Sequence, residues 1–197
     1  VRSILINHLN ILEDSTIYCR ENVLKALYRL GKADTLERAL QLFEEKGWYH
    51  SPKLIADEMA QFNGDVKALA IRLWNRSWSD HMKIVLIQFM NNLSDDLSDL
   101  VMPELSSSHY EVSFAAIRYF TRHVREDVAP ILREIVRKDG ETAIAAARAL
   151  GNYPSEESKE VLMQALTSRN WYVRYNAAEA LKEMDLKAEE IEYLCHH

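Results

Sequence analysis

Apolar residues along the chain recur at helical spacing. Leu97, Leu100 and Val101 are followed 31 residues later by Val128, Ile131 and Leu132, and after another 31 by Lys159, Leu162 and Met163. A second set interleaves with the first. The stretches Phe114-Ala115-Ala116-Ile117, Ala145-Ala146-Ala147-Arg148 and Asn176-Ala177-Ala178-Glu179 repeat at the same 31-residue step. Upstream the register drifts, and Leu24-Lys25-Ala26-Leu27, Ile55-Ala56-Asp57-Glu58 and Ile84-Val85-Leu86-Ile87 stand in the equivalent places. Stripes at i, i+3, i+4 and i+7 make one apolar face of an α-helix. A fixed period of this length is the signature of a repeat architecture.

Punctuation divides each repeat into two helices. Ser51-Pro52 sets a cap before a first-turn proline, Asp34 with Glu37 has capping-box spacing, and Asn63-Gly64-Asp65 supplies a left-handed stop followed by a cap. Gly31, Gly47, Gly140 and Gly151 fall where helices should end, and Pro130 where one should begin. The pattern predicts helix pairs over 15–46, 51–76, 79–106, 109–138, 141–168 and 171–195, with 1–12 a leftover helix of an upstream unit. Pro103 falls inside the second helix of the third pair, and the 31-residue register favours a kink there over a late helix start. A short helix pair cannot bury its apolar face alone, so successive pairs stack into one continuous core. The expected fold is all-α, a single domain over 1–197. The paired alanines would let first helices approach closely, while larger aliphatics on second helices fill the layers between.

The stretch Asn170-Trp171-Tyr172-Val173-Arg174-Tyr175-Asn176-Ala177-Ala178-Glu179-Ala180-Leu181, preceded by Val161-Leu162-Met163-Gln164-Ala165-Leu166, resembles the HEAT repeat. The likeness is to the short HEAT-like type first recognised in phycobilisome lyases. Val128-Ala129-Pro130-Ile131-Leu132 resembles that family's second-helix opening. The resemblance is good over 97–184 and dilute before residue 80, and Val-Arg stands in its place only at Val173-Arg174. It implies a right-handed α-α superhelix with first helices outside and second helices lining a concave face.

Composition narrows the function. Five Gly and four Pro in 197 residues leave too few turn-formers for an all-β fold, and too few glycines for a phosphate-cradling loop. A net charge of −6 lacks the basic footprint of a nucleic-acid binder. Cys19 and Cys195 lie in no metal-ligand spacing and read as reduced thiols of a cytoplasmic protein. No apolar run is long enough to insert in a membrane. The chain opens on Val1 in mid-pattern, which suits the soluble part of a larger, membrane-tethered protein.

No G-x-S-x-G, P-loop, H-E-x-x-H or G-x-G-x-x-G occurs. The His-Glu dipeptides of HEAT-like di-iron enzymes are absent, since His8, His50, His81, His109 and His123 precede Leu, Ser, Met, Tyr and Val. The expectation is therefore a non-enzymatic scaffold without cofactor or metal, binding another protein along the concave face. The alternative is a HEAT-like enzyme acting on a nucleic-acid base, as DNA glycosylases of this type do, or a chromophore-protein lyase. Trp and Arg dominate binding hot spots. The expected contact residues on second helices or their ends are Arg72, Arg76, Trp78, Arg133, Arg137 and Arg169. The aromatics Trp48, Tyr49 and Trp171 at turns are read either as packing or as surface sites. Charge is segregated: Asp95, Asp96, Asp99, Glu104 and Glu111 stand in a stretch without Lys or Arg, and Arg118, Arg122 and Arg125 follow as a stripe. The stripe is read either as a surface that meets an acidic partner or an anionic membrane, or, the favoured reading, as an internal pairing: the 31-residue step carries Asp95 to position 126, which sets Arg125 beside that acidic turn.

Overall fold

The computed structural model describes residues 17–47 and 52–184, with Ser3, Ile4 and Asn7 near the start. The helix expected over 1–12, the aromatics Trp48 and Tyr49, the cap at Ser51 and the tail with Cys195 lie outside the described residues. Among these residues the chain forms eleven α-helices, two short 3-10 helices and no strand. They group into two compact units that divide between Leu97 and Ser98, inside the expected third repeat.

Unit 1 contains α1 (Ile17–Arg29), α2 (Ala33–Glu45), α3 (Pro52–Met59), α4 (Val66–Trp74) and α5 (Asp80–Asn91). The odd-numbered members are the first helices of their pairs, and α3 packs against both α1 and α5. Their apolar stripes, with Leu27, Tyr28, Met59, Val85 and Phe89, are buried together with Leu36, Leu40, Leu69 and Leu73 of α2 and α4. Asp65 caps α4 by accepting from the Ala68 amide at 2.9 Å, and Ser79 caps α5 through the Met82 amide. Two local expectations change. Gly31 and Gly47 are the glycines with positive φ, and Gly64 is not among them. Asp34 and Glu37 form no capping box, because α2 starts after Lys32 with no side-chain cap and Glu37 faces inward.

Unit 2 contains α6 (Ser98–Val101), a 3-10 helix over Met102–Ser106, α7 (Tyr110–Arg122), a 3-10 turn over Glu126–Val128, α8 (Ala129–Arg137), α9 (Ala143–Leu150), α10 (Glu156–Ala165) and α11 (Trp171–Lys182). First helices α7, α9 and α11 pack each against the next, and second helices α8 and α10 pack on one another. Pro103 does not kink a long helix: the α-helix stops at Val101 and the chain tightens to 3-10 with Pro103 in its first turn. A proline ring clashes with the carbonyl four residues back and offers no amide, so the α ladder cannot continue through it. Pro130 opens α8 as expected.

Alanine brings the first helices of this unit together, although one predicted member differs. Ala116, Ala146, Ala147 and Ala177 are fully buried, whereas Ala178 is exposed and Ala180 faces the neighbour instead. A Cβ on Gly151 would stand 3.4 Å from Ala180, so the end of α9 sits almost against α11. Lys159, the polar member of the second-helix stripe, keeps the buried position and pairs its ammonium with Glu156 at 3.4 Å.

Candidate functional site

The six residues expected to contact a partner fall into two groups. Arg72 ends α4 and Arg76 follows it, and both reach back to α2. The Arg72 Nε donates to Glu37 Oε2 at 2.9 Å and its Nη2 to Asp34 Oδ1 at 2.5 Å, while Arg76 Nη2 pairs with the other oxygen of Glu37. Glu37 is nearly enclosed, with a side chain 5% exposed, and receives both cations. These charge-assisted bonds, Glu37 first and Asp34 next, raise the Arg72 pKa above its ordinary value. Arg72, in the last turn of α4, and Arg76, just beyond it, thus clamp one repeat to the next. Trp78 lies half-buried in the loop before α5, its indole N–H donating to the Leu73 carbonyl at 2.7 Å. The same carbonyl, in the last turn of α4, also accepts from the Arg76 amide at 3.1 Å. Trp74 is half-buried.

The other three residues belong to unit 2. Arg133 of α8 is half-buried and reaches Ser158 Oγ of α10 at 3.5 Å. Arg137, in the last turn of α8, and Arg169, in the turn before α11, are exposed and line an open groove of about 560 Å³. Val136, Val161 and Ala165 give the groove an apolar floor, and Asp139 is the acid on its rim. Neither Arg137 nor Arg169 has an ion-pair partner among the described residues. Ser168 Oγ donates to Asp139 Oδ1 at 2.6 Å, and Arg174 Nη1 donates to the Ser168 carbonyl at 2.7 Å, so the turn that carries Arg169 is held in place. Arg137 also stands at the negative end of the α8 dipole, where a cation is favoured.

The stripe Arg118, Arg122 and Arg125 does not hold together. α7 ends at Arg122, and Arg125 lies in the loop beyond, where it pairs with Asp127 at 2.6 Å and Asp99 at 2.5 Å. The internal pairing expected for Arg125 is therefore present, one turn from the residue that the repeat step named.

Sequence reasoning missed a larger groove on the other side of unit 2. It runs over first helices α7, α9 and α11, has a volume of about 1070 Å³, and is lined by Phe114, Arg118, Ile144, Arg148, Asn176 and Glu179 among others. The signal was present in the 31-residue alignment. Phe114, Ala145 and Asn176 share one row, so the middle helix contributes only a methyl group where its neighbour has a ring. Trp171, among the turn aromatics, opens α11 with 56% of its surface exposed. It stacks on Tyr175 at 5.4 Å and meets Tyr172 edge-on at 4.9 Å.

Among the described residues, no group of three or more His, Cys, Asp and Glu could hold a metal ion. No helix among them is long and apolar enough to cross a membrane. Comparison with known proteins adds the family. No curated protein and no solved structure matches the chain. The family model for HEAT repeats matches residues 98–181 and again 136–197. These matches span unit 2 and just over half of the chain, and they fall on the helices whose first members stack through alanine and glycine: the chain belongs to the HEAT-repeat family.

Proposed function

We propose that the protein is a non-enzymatic scaffold that binds another protein on the second-helix face of unit 2, with Arg133, Arg137 and Arg169 as contacts. HEAT repeats commonly mediate protein–protein interactions, and proteins built from them are typically scaffolds. The observation that carries the reading is the groove between α8 and α10, where two exposed cations without ion-pair partners flank an apolar floor. A desolvated carboxylate held by an arginine fork gives both affinity and orientation. Arg72, Arg76 and Trp78 belong to the same proposal as a second contact surface in unit 1, where they also hold α4 against α2.

The test is affinity capture with the intact protein, its Arg137→Glu/Arg169→Glu variant and its Arg72→Glu/Arg76→Glu variant, with captured proteins identified by mass spectrometry. The first variant should lose specific partners while its circular dichroism matches the parent and its melting temperature falls only slightly, from the lost Arg137 interaction with the α8 dipole. Recovery of the same partners in the same amounts by that variant would show that this surface is not the binding site. The second variant should melt earlier, because it sets like charges against Glu37.

A further inference from the structure

We propose that the first-helix face of unit 2 is a separate docking site, and that it takes a segment of a partner protein in which an apolar anchor is followed by acidic side chains. The repeat register sets side chains of α7, α9 and α11, and of the turn before α9, in rows. Tyr110, Glu141 and Tyr172 form one, Phe114, Ala145 and Asn176 the next, and Arg118, Arg148 and Glu179 a third with a one-residue offset. α9 is an alanine-rich helix of eight residues with Gly151 at its end, so the row through Ala145 is low in the middle. The flanking helices stand above it, and the groove follows.

The two ends of this face differ in chemistry. At the N-terminal end Phe114 lines the groove, and Tyr110 and Tyr172, one turn before Phe114 and Asn176 on the same stripes, are 53% and 60% exposed. Apolar surface left in water is unfavourable by roughly 25 cal/mol per Å², and clustered exposed rings mark interaction sites. At the C-terminal end Arg118 and Arg148 are exposed on adjacent helices, and neither has an ion-pair partner among the described residues. Packed helices lie about 8–10 Å apart, so one turn of an acidic segment can meet both guanidinium groups.

Charge complementarity selects this occupant. The α11 wall carries Glu179 and Glu183, and Glu179 is only loosely offset by Lys182 at 4.0 Å. A uniform polyanion such as a nucleic acid or an anionic membrane would run into those carboxylates. A peptide can place its acidic residues over α7 and α9 and keep them off α11. Aromatic anchors with arginine are the composition of binding hot spots.

The experiment uses the full chain as bait for a displayed random-peptide library, then titrates an enriched peptide by fluorescence anisotropy. Enriched peptides should carry an apolar residue followed by Asp or Glu. Arg118→Glu/Arg148→Glu and Phe114→Ala/Tyr172→Ala should each weaken binding by roughly tenfold or more, the scale of a lost hot spot. Arg137→Glu/Arg169→Glu should leave it unchanged, which separates this site from the second-helix surface. Arg118→Gln/Arg148→Gln is a milder pair whose fold can be confirmed by its melting curve. Peptides without acidic residues, no enrichment at all, or unchanged affinity in either folded arginine pair would overturn the proposal. So would tighter binding of RNA or phosphatidylserine vesicles through the same arginines.

Discussion

Three glycines that look alike in the sequence carry different constraints. Gly31 has φ of 61°, and a Cβ there would stand 2.1 Å from the Asn63 carbonyl oxygen, whose residue also donates its amide to the Tyr28 carbonyl at 3.2 Å. Gly47 has φ of 64° with nothing within 4 Å, and Gly140 has open space and no positive φ. Urea unfolding of three alanine variants should therefore separate them. Gly31→Ala should lose about 2–4 kcal/mol, combining left-handed strain with displacement of the Asn63 backbone that packs on it. Gly47→Ala should lose about 1 kcal/mol from strain alone. Gly140→Ala should be neutral or gain up to about 1 kcal/mol through the unfolded chain. Equal losses at Gly31 and Gly47 would show that the close approach to Asn63 adds nothing. Glu37 teaches the same lesson. Its spacing from Asp34 has the form of a cap, and only the arginines 35 and 39 positions onward reveal its role as the acceptor of a clamp between helices.

At the scale of elements, the helix ends hold neighbouring repeats together. Tyr153, in the turn after α9, donates its hydroxyl to the Phe120 carbonyl near the end of α7 at 2.8 Å, and Asn152 donates to the Thr121 carbonyl at 2.9 Å. Both acceptors belong to the last turn of a helix, whose carbonyls have no partner of their own. Tyr153→Phe keeps the ring and strands one buried carbonyl, so it should lower stability by about 1–2 kcal/mol in denaturant unfolding. A variant as stable as the parent would mean that water replaces the hydroxyl. Helix positions were legible here because Gly, Pro and cap residues act within a few bonds of the backbone that they terminate. Pro103 was read as a kink because a 31-residue register cannot tell an α turn from a 3-10 turn.

For the whole molecule, acidification is the broad perturbation. The Lys53 hydrogen bond, and then that from Asn92, holds Asp57 below its ordinary value of 3.8. Arg125 does the same for Asp127, and the backbone amide at the start of α10, with Ser155, lowers Glu157 below 4.5. A carboxylate whose pKa is depressed by folding contributes stability above its unfolded pKa, and that contribution is lost as pH falls through the folded value. The melting temperature should thus be flat above about pH 5 and decline below about pH 4. Asp57→Asn should melt earlier than the parent at pH 6 and approach it at pH 3. A parallel decline in both proteins would remove Asp57 from the account.

The helices, their pairing into repeats near 31 residues and the family are legible in the order of residues alone. Those properties rest on periodicity and on residues that act over three or four positions. Which surfaces are open depends on how the helices pack. Arg72, Arg76 and Arg125 are engaged by acids that lie 26–39 positions away or in the same loop, while Arg118, Arg137, Arg148 and Arg169 remain without ion pairs among the described residues. Nothing local distinguishes the two sets, because a charged side chain on a helix surface has the same sequence context whether or not the next helix presents a carboxylate to it. The first-helix groove has the same origin. Its depth comes from the difference between Phe114 and Ala145 across two packed helices, a contrast that exists only once the repeats are stacked.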